Sequence, residues 1–343
     1  MKIFYAVQAT GNGHISRAQQ LLPYLQRYGK VDIFLSGSNS QLQGDLPVRF
    51  RSRGLGLHYN TEGSLHYTKI AKQLNPQRIW KEIRQLPVEK YDVVINDFEC
   101  LTALACAYKN VPSVQFGHQA SFRSDLVPRP AKKEAIGEFI LNHFAKASGY
   151  IGLHFQAYDH FIFEPVIKKQ ILQAAPANKG HITVYLSAYN DETVVRYLSQ
   201  LKSFRFEIFS KETRQTVKQG NITLMPVSGQ LFNESMINSY GVITGAGFET
   251  PAEVLHLGKK LMVIPIRGQY EQLCNAAALE RLGVKVIDRL DEQFSRHFLN
   301  WIALSPRPEM NYRNNIPEML CYLMDNYPVK GVPLDLLMPE VII

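Results

Sequence analysis

Apolar residues occur along the chain in blocks whose spacing predicts alternating strands and helices. The first block, residues 2–9, is continuous and β-prone, and it ends at a polar, glycine-containing turn over residues 10–14. Apolar residues then recur at helical spacing through residues 16–28, and another short apolar block follows at residues 31–35. A strand, a helix and a strand in this order predict a doubly wound α/β domain built on a parallel sheet.

The same alternation continues through the first half and returns in the second. Apolar blocks at residues 91–96, 112–116 and 150–155 predict further strands, the last of which closes the first domain. The second half has its own series of strand-like blocks, at residues 181–187, 204–209, 222–225, 241–244 and 261–266. Each half therefore predicts a complete α/β unit.

The length of the chain agrees with two domains. At 343 residues it exceeds the size at which a single hydrophobic core stops growing. We place the first domain at residues 1–165, the second at 166–310, a terminal helix within 311–330 and a tail at 331–343.

The chain carries a net positive charge. Lysine and arginine exceed aspartate and glutamate by 38 − 30 = 8. This excess permits anionic partners such as nucleotide diphosphates, phospholipid surfaces or nucleic acid. The basic residues form only pairs such as Lys132-Lys133 and Lys168-Lys169, unlike the blocks of nucleic-acid-binding proteins, so we expect no nucleic-acid partner.

The cysteines and the N-terminal residues both indicate the cytoplasm. Cys100, Cys106, Cys274 and Cys321 form no C-x-x-C motif and no Cys/His ligand spacing, which predicts reduced thiols rather than a zinc site. The N-terminal residues have no long apolar run after a basic region, and no stretch approaches the roughly 18 apolar residues of a membrane span. We therefore expect a cytoplasmic protein, soluble or at most peripheral to a membrane.

A glycine turn in the second half is a candidate phosphate site. Gly245-Ala246-Gly247 directly follows a predicted strand. Thr250 and Pro251 then suit the first turn of a helix, where the missing N–H of proline is no loss. Free N–H groups and the positive end of the helix dipole at such a turn attract phosphate.

Polar side chains suited to a sugar surround this turn. Glu249 and Glu253 lie four residues apart and therefore share one face of the predicted helix. A carboxylate beside a phosphate site can accept two hydrogen bonds from the diol of a ribose. Gln269, Gln272 and Asn275 follow the next strand, and all three are neutral and polar.

The glycine turn after the first strand leads directly into a histidine. Gly11, Asn12 and Gly13 precede His14. The turn lacks the third glycine of the dinucleotide fingerprint, and no acidic residue ends the second strand, so NAD(P) binding is disfavoured. Histidine has an unperturbed pKa of about 6.5 and suits a general base near neutral pH. His14 is therefore a candidate base, with a histidine that only caps the loop as the alternative.

Two further predicted strands of the first half also end in polar residues. Asp97 and Glu99 follow residues 91–96, and His118 and Gln119 follow residues 112–116. Polar residues at the carboxyl ends of parallel strands point into the ligand crevice. Asp97 and Glu99 are candidates for acid–base or acceptor-positioning groups, and capping of the next helix is the alternative.

The stretch from Tyr240 to Val284, which contains the second glycine turn, resembles the C-terminal half of GT-B glycosyltransferases. The similarity is greatest to the group that contains the lipid-linked N-acetylglucosaminyltransferase of peptidoglycan synthesis and the glycolipid and antibiotic glycosyltransferases. Their nucleotide-sugar motif combines a glycine turn, a glutamate, a glycine, an apolar strand ending in proline, and glutamines before Asn-Ala. The corresponding residues here are Gly245-Ala246-Gly247, Glu253, Gly258, residues 261–265, Gln269, Gln272 and Asn275-Ala276.

A branch of uncharacterised bacterial and archaeal members of this group is similar over about residues 1–120 and 180–290. It shows Asp-Phe-Glu after one strand, which is Asp97-Phe98-Glu99 here. It also shows a polar turn with histidine or glutamine after the next strand, which is His118-Gln119 here. One difference from the family is the loop after residues 181–187, which contains no glycine for a phosphate.

The resemblance implies an α/β protein with the GT-B fold, in which two Rossmann-like parallel-sheet domains face each other across a cleft. It also implies that the terminal helix crosses back to the first domain. The implied activity is transfer of a sugar from a nucleotide-sugar, a UDP-sugar by default, to an acceptor hydroxyl. No metal and no other cofactor are expected, because helix dipoles and N–H groups stabilise the leaving diphosphate in such enzymes.

By resemblance, the second domain holds the donor and the first holds the acceptor. The expected donor-binding residues are Gly245, Ala246, Gly247, Glu249, Thr250, Glu253, Gln269, Gln272 and Asn275. In the first domain we prefer His14 as the base, with Asp97 or His118 as the fallback. The turn expected to meet phosphate or acceptor consists of Gly11, Asn12 and Gly13. We expect Glu99 and Gln119 on the acceptor side.

Other functions stay open at this point. A nucleotide-sugar 2-epimerase shares the fold, and it would need clustered carboxylates in the cleft and no second substrate. A non-catalytic nucleotide-sugar-binding protein would keep Glu253 and the glycine turn but would not depend on His14. The acceptor is open between lipid-linked, polysaccharide and small-molecule classes.

A helix predicted over residues 132–147 bears on membrane contact. Its apolar stripe consists of Ile136, Phe139, Ile140, His143 and Phe144. We expect this stripe to pack into the core. The alternative, taken from peripheral glycosyltransferases of this fold, is a basic and apolar patch that docks on the inner face of a membrane.

Overall fold

Each half of the chain builds one seven-stranded sheet. The computed structural model describes residues 1–9, 11–37, 46–55 and 75–327. The predicted tail at residues 331–343 lies outside these residues. The order of the strands within each described sheet follows the doubly wound pattern.

The first sheet has all its strands parallel, in the order β3-β2-β1-β4-β5-β6-β7. Its strands are β1 (Lys2–Gln8), β2 (Lys30–Ser36), β3 (Val48–Ser52), β4 (Val93–Asp97), β5 (Val114–Gly117), β6 (Gly149–Leu153) and β7 (Ile162–Phe163). Its α-helices are α1 (Asn12–Leu25), α2 (Pro76–Gln85), α3 (Cys100–Lys109) and α4 (Ala135–His143), with 3₁₀ turns at Val88–Lys90 and His118–Arg123. The strand order reverses between β1 and β4, so a crevice opens at their carboxyl ends.

The second sheet has the order β10-β11-β9-β8-β12-β13-β14, with only the edge strand β10 antiparallel. Its strands are β8 (His181–Tyr185), β9 (Arg205–Ser210), β10 (Val217–Gln219), β11 (Ile222–Pro226), β12 (Gly241–Thr244), β13 (Lys260–Val263) and β14 (Lys285–Val286). The helices of this half are α5 (Lys169–Leu172), α6 (Asp191–Leu198), α7 (Gly229–Asn238), α8 (Glu249–His256), α9 (Tyr270–Arg281), α10 (Phe294–Leu304) and α11 (Ile316–Asn326). The strand order reverses between β8 and β12.

The central strands are continuous apolar runs because helices cover both faces of each sheet. In β1 the six residues after Lys2 are all buried, and the four residues of β12 are buried as well. One cluster of buried apolar side chains extends from β1 in the first sheet to β12 and α8 in the second. The two halves therefore pack against each other through a shared core, and the predicted α/β fold with two parallel-sheet units is confirmed.

The end of the described chain returns to the first half. Helix α11 packs against α1. The hydroxyl of Tyr312 donates to the carbonyl of Phe155 (2.9 Å), and the hydroxyl of Tyr327 donates to the carbonyl of Tyr150 (2.9 Å). The domain limits at residues 165 and 310 stay predictions.

The prediction that residues 150–155 form the last strand of the first sheet is wrong. The strand there is Gly149–Leu153, and Ile162–Phe163 pairs beyond it at the sheet edge. Two residues are too short to show a periodic pattern, which explains the omission.

The expectation that the whole stripe on α4 packs into the core is also wrong. Ile140 and Phe144 do pack beside Phe98. Ile136 and Phe139 lie on the outer side of the helix and are 57% and 62% exposed. The helix instead turns Leu141, which is buried, and Gly137, which lies against Tyr270, toward the core, so Ile136 and Phe139 face outward.

Candidate active site

The N-termini of two helices meet at the cleft between the sheets. Helix α1 begins at Asn12, so that Gly11 precedes it and Gly13 lies in its first turn, and α8 begins at Glu249, after the second glycine turn. The Glu249 carboxylate lies so close to Gly13 that a β-carbon on Gly13 would overlap it. The two glycine turns predicted from the sequence therefore face each other directly.

His14 and Asp97 form a hydrogen-bonded pair on the first-half side of this cleft. His14 Nδ1 lies 2.9 Å from Asp97 Oδ1, and Asp97 ends β4 with no exposed surface. Burial alone would lower the pKa of His14, but the neighbouring Asp97 carboxylate outweighs it, and the pKa is raised. Burial would raise the pKa of Asp97, but the charges of Arg17 and His14 lower it. In the tautomer whose Nδ1–H is donated to the ionised Asp97, Nε2 keeps the lone pair that a base needs.

Arg17 joins this pair to the second half of the chain, and the sequence analysis did not identify it. Its Nη2 donates to Asp97 Oδ1 (2.7 Å) and its Nε to Asp97 Oδ2 (3.2 Å), while Nη1 forms an ion pair with Glu249. Its side chain is 2% exposed. The available signal was spacing, because residues three apart on α1 share a face with His14.

Glu99 is fully buried and caps helix α3. Its carboxylate accepts hydrogen bonds from the N–H groups of Leu101 (3.0 Å) and Thr102 (2.6 Å) and from the hydroxyl of Ser36 (2.8 Å). Burial raises the pKa of Glu99, and these hydrogen bonds partly oppose that rise. The structure therefore shows the capping role, and an acceptor-side role stays a prediction.

Phe98, between the two carboxylates, has an unusual backbone. Its φ of +56° lies in the left-handed region, which is unfavourable for a bulky side chain. This conformation lets Asp97 reach His14 and Arg17 while Glu99 caps α3. The ring of Phe98 packs on Phe144, with centroids 5.3 Å apart, and both rings line the cleft.

His118 connects the two halves. Its Nδ1 lies 2.9 Å from the carbonyl of Leu153, and its Nε2 lies 2.7 Å from Asn275 Oδ1 on α9. The ring stacks on Phe248 with a centroid distance of 4.0 Å. Burial lowers the pKa of His118. Because both ring nitrogens have partners, His118 is suited to hold the halves together rather than to accept a proton.

Next to His118, Gln119 makes a second polar contact between the halves. Its Nε2 donates to Glu271 Oε2 on α9, at 3.1 Å. Its predicted place on the acceptor side stays a prediction.

Three cavities form a continuous cleft between the sheets. The turn cavity, about 130 Å³, lies at the ends of β8 and β12, and it is lined by Ser187, Gly245, Gly247, Thr250 and Gln272 among others. The aromatic cavity, about 300 Å³, is lined by Tyr185, Phe209, Val227, Phe232 and residues of α1. The base cavity, about 270 Å³, is lined by His14, Arg17, Phe98, Gln119 and Gln269 among others. The cavities share lining residues, which include Gly13, Tyr185, Gly247, Glu249, Thr250 and Gln272.

The amide side chains of the second half support the glycine turn. Asn275 Nδ2 donates to the carbonyl of Ala246 at 3.0 Å. Gln272 Oε1 accepts from the N–H of Ile266 (3.0 Å), and its Nε2 donates to Gln269 Oε1 (2.7 Å). Gln269, Gln272 and Asn275, which the sequence predicts near the glycine turn, therefore do lie beside it.

Glu253 lies behind the cavity wall. It is 2% exposed and forms an ion pair with Lys168 at 3.1 Å. Burial raises the pKa of Glu253, while the Lys168 charge lowers it. Lys168 lines the aromatic cavity, and Glu253 is not among the described residues that line any of the three cavities. Its contact with a ribose stays a prediction.

Comparison with protein families decides the class of this cleft. The model of glycosyl transferase family 1 matches residues 1–303. The chain belongs to glycosyl transferase family 1. The cleft is therefore that of a glycosyltransferase, and the family favours this activity over the 2-epimerase and non-catalytic alternatives.

Solved structures of glycosyltransferases share the fold of this family 1 protein. UGT89C1 of Arabidopsis thaliana, complexed with UDP, is 12% identical and has a TM-score of 0.60, with 93% of this chain and 99% of that chain covered. MurG of Acinetobacter baumannii is 14% identical with a TM-score of 0.56, and the match covers 95% of this chain and 99% of MurG. LpCGTa in complex with UDP is 15% identical with a TM-score of 0.58, and the match covers 88% of this chain and 90% of LpCGTa. No curated protein matches the sequence significantly.

Within the described ranges, no three His, Cys, Asp or Glu side chains are grouped as a metal ion would require. In the same part of the chain, no helix is long and apolar enough to cross a membrane.

Proposed function

We propose that this glycosyltransferase moves a sugar from a nucleoside diphosphate-sugar, a UDP-sugar by default, to an acceptor hydroxyl. The observation that carries the proposal is the His14–Asp97 pair, which faces the N-terminus of α8 across the cleft. A proton acceptor thus lies opposite a ready phosphate site. UDP in the UGT89C1 and LpCGTa structures supports the choice of nucleotide.

The donor occupies the second-half side of the cleft. The free N–H groups at the start of α8, next to Gly247 and Thr250, hold the diphosphate. The nucleobase lies in the aromatic cavity beside Val227 and Phe232. Gln269 and Gln272, at the junction of the turn and base cavities, hold the donor sugar.

The reaction begins with deprotonation of the acceptor hydroxyl by His14 Nε2. The acceptor oxygen forms a bond to the anomeric carbon as the bond from that carbon to the diphosphate oxygen breaks. The proton stays on His14, whose imidazolium is stabilised by Asp97, and the electron pair leaves with the nucleoside diphosphate. The α8 N-terminus stabilises the charge that develops there. Asp97 positions the base, and we do not assign His118 that role.

Turnover of UDP-sugars tests this proposal. The purified protein is incubated with UDP-glucose, UDP-N-acetylglucosamine and UDP-galactose, with a mixture of simple glycosides and alcohols as acceptors. UDP release above the rate of a His14→Ala variant supports the proposal. Release from none of the donors, or equal release by the variant, contradicts it.

We also propose that the transfer needs no metal ion. The α8 N-terminus supplies the positive end that a metal would otherwise provide for the leaving group. Turnover is expected to persist in excess EDTA. Complete loss in EDTA, with recovery on addition of Mn²⁺, would contradict metal independence and leave the assignment of the base intact.

We propose that the protein is cytoplasmic and contacts the membrane peripherally through α4. Ile136 and Phe139 are exposed there, and the exposed Lys132 and Lys133 precede them. Apolar side chains next to cations suit a surface of anionic lipid. Cosedimentation with phosphatidylglycerol vesicles should fall in an Ile136→Ser/Phe139→Ser variant. The control is Leu304→Ser, because Leu304 is 79% exposed on α10. Equal cosedimentation of both variants contradicts the proposed surface.

A further inference from the structure

Glu249 presents an electrostatic problem at the donor site. It is the first residue of α8 and therefore lies at the helix N-terminus that the proposed function assigns to the diphosphate. A carboxylate there is attracted to the same N–H groups and repels an incoming diphosphate. A diphosphate site at this helix therefore needs a cation that neutralises Glu249 and holds its carboxylate away from the N–H groups of the helix.

Arg17 is placed to do both. It forms an ion pair with Glu249 from the opposite wall of the cleft and is anchored by three hydrogen bonds to Asp97, at 2.7, 2.9 and 3.2 Å. The charges of Asp97 and Glu249 raise the pKa of Arg17 despite its burial, so the guanidinium stays charged. Gly13 adds the space, because any side chain at that position would overlap the carboxylate.

The other charges of the cleft leave no substitute for Arg17. Among the described residues that line the three cavities, the lysine and arginine side chains are Lys168 and Arg17. Lys168 is paired with Glu253. The lining carboxylates are Glu249 and Glu271. Without Arg17, the diphosphate would therefore meet an uncompensated negative charge.

We propose that Arg17, although it belongs to the acceptor half, is a positioning residue for the donor. It neutralises Glu249 and draws it toward Gly13, so that the N-terminus of α8 is open to the diphosphate. This inference rests on the proposed function. The same guanidinium also holds Asp97, which positions the base. One side chain therefore contacts both the start of the donor-binding helix and the partner of the base, and separation of the two halves would break its contact with Glu249.

Calorimetric titration of UDP into matched variants tests this role. Arg17→Met should raise the Kd for UDP by roughly tenfold to a hundredfold, the effect of an uncompensated charge a few ångströms away in a partly buried site. Glu249→Gln alone should leave the affinity unchanged or increase it. The Kd of the double variant Arg17→Met/Glu249→Gln for UDP should return to within a few-fold of the wild-type value. A purely structural role for Arg17 predicts no such rescue.

The control is Arg17→Met/Glu271→Gln, which removes a cleft carboxylate that Arg17 does not contact. It should not restore binding. The proposal is overturned if Arg17→Met binds UDP as the wild type does, if Glu249→Gln gives no rescue, or if Glu271→Gln rescues equally. Arg17→Met leaves the buried Asp97 carboxylate without its guanidinium partner. If that variant does not fold, Arg17→Met/Asp97→Asn takes its place, and its Kd for UDP is compared with and without Glu249→Gln. A wild type that binds no nucleoside diphosphate overturns the proposed function itself.

Discussion

The two walls of the cleft are built from different chemistry. The first-half wall presents His14 and Arg17, two ionisable side chains that are largely buried and are both paired with Asp97 behind them. The second-half wall presents a glycine turn, a helix N-terminus and the amide of Gln272, and its carboxylates are Glu249, which Arg17 neutralises, and Glu271. Proton transfer needs groups with adjusted pKa values, whereas a diphosphate can be held by backbone N–H groups alone. This difference supports the proposed assignment of the base to the first-half wall and of the donor to the second-half wall.

The largest effect is expected from removal of the base. His14→Ala should lower the rate of sugar transfer by about 10²–10⁴, the usual contribution of a general base. UDP affinity should change little, because the second-half wall is intact. His160→Ala, at a histidine whose side chain is 79% exposed, is the control. A rate within a few-fold of wild type for His14→Ala would show that His14 is not the base and that the two walls do not have the proposed separate roles.

The pH dependence of the rate tests whether Asp97 of the first half sets the pKa of the base. Because Asp97 outweighs burial and raises the pKa of His14, kcat/KM should fall as the pH drops through a value above about 6.5. Asp97→Asn should shift this acid limb to lower pH and lower the rate by on the order of 10²-fold, since the imidazolium loses its partner. An unchanged acid limb in Asp97→Asn would show that the pair does not set the pKa.

The same pKa shift has a consequence for stability. A raised folded-state pKa of His14 stabilises the fold fully below about pH 6.5, and this contribution is lost as the pH rises through the raised value. The lowered pKa of Asp97 acts in the opposite direction and contributes stability above about pH 3.9, which is lost on acidification. His14 titration followed by NMR measures the first shift without any substrate.

A smaller effect is expected from loosening the second-half wall. Asn275→Ala removes the hydrogen bonds to Ala246 and His118, each contributing about 1 kcal/mol. The Kd for UDP should rise about three- to tenfold, because the turn is less well held. Calorimetry measures it, with the exposed Asn326→Ala as control. Equal affinities for both variants would show that the turn holds its shape unaided.

The smallest effect should appear in stability rather than in rate. Glu99→Ala removes the cap of α3, and the free energy of unfolding should fall by about 1–2 kcal/mol. Urea unfolding measures this change, and Glu89→Ala, at a surface ion pair, should change it by less than about 1 kcal/mol. If Glu99→Ala instead keeps its stability and loses acceptor affinity, the acceptor-side prediction holds and the capping contribution is minor.

The sequence predicts the architecture well and the charge network poorly. Apolar blocks and glycine turns are local signals, so both sheets and the glycine-rich starts of α1 and α8 follow from them. The short edge strands β7 and β10 have two and three residues, which is below the length at which a period can be recognised.

The partners of the ionisable groups depend on contacts between distant parts of the chain. Asp97 and Glu99 are two residues apart and look alike in sequence, yet one meets His14 and the other caps α3, because the left-handed Phe98 turns them in opposite directions. Arg17 and Glu249 are 232 residues apart. Only the packing of the two halves shows that they meet.

The most direct test of the central claim is a thermal-shift screen with UDP, GDP, CMP, dTDP and NAD. A ligand that binds only the folded state raises the unfolding midpoint by an amount set by RT ln(1 + [L]/Kd). We predict that UDP, or another nucleoside diphosphate, raises the midpoint and that NAD does not. Glu253→Gln, in a repeat of the screen, shows whether the predicted ribose contact forms. If no nucleotide shifts the midpoint, or NAD alone does, the cleft is not a nucleotide-sugar site.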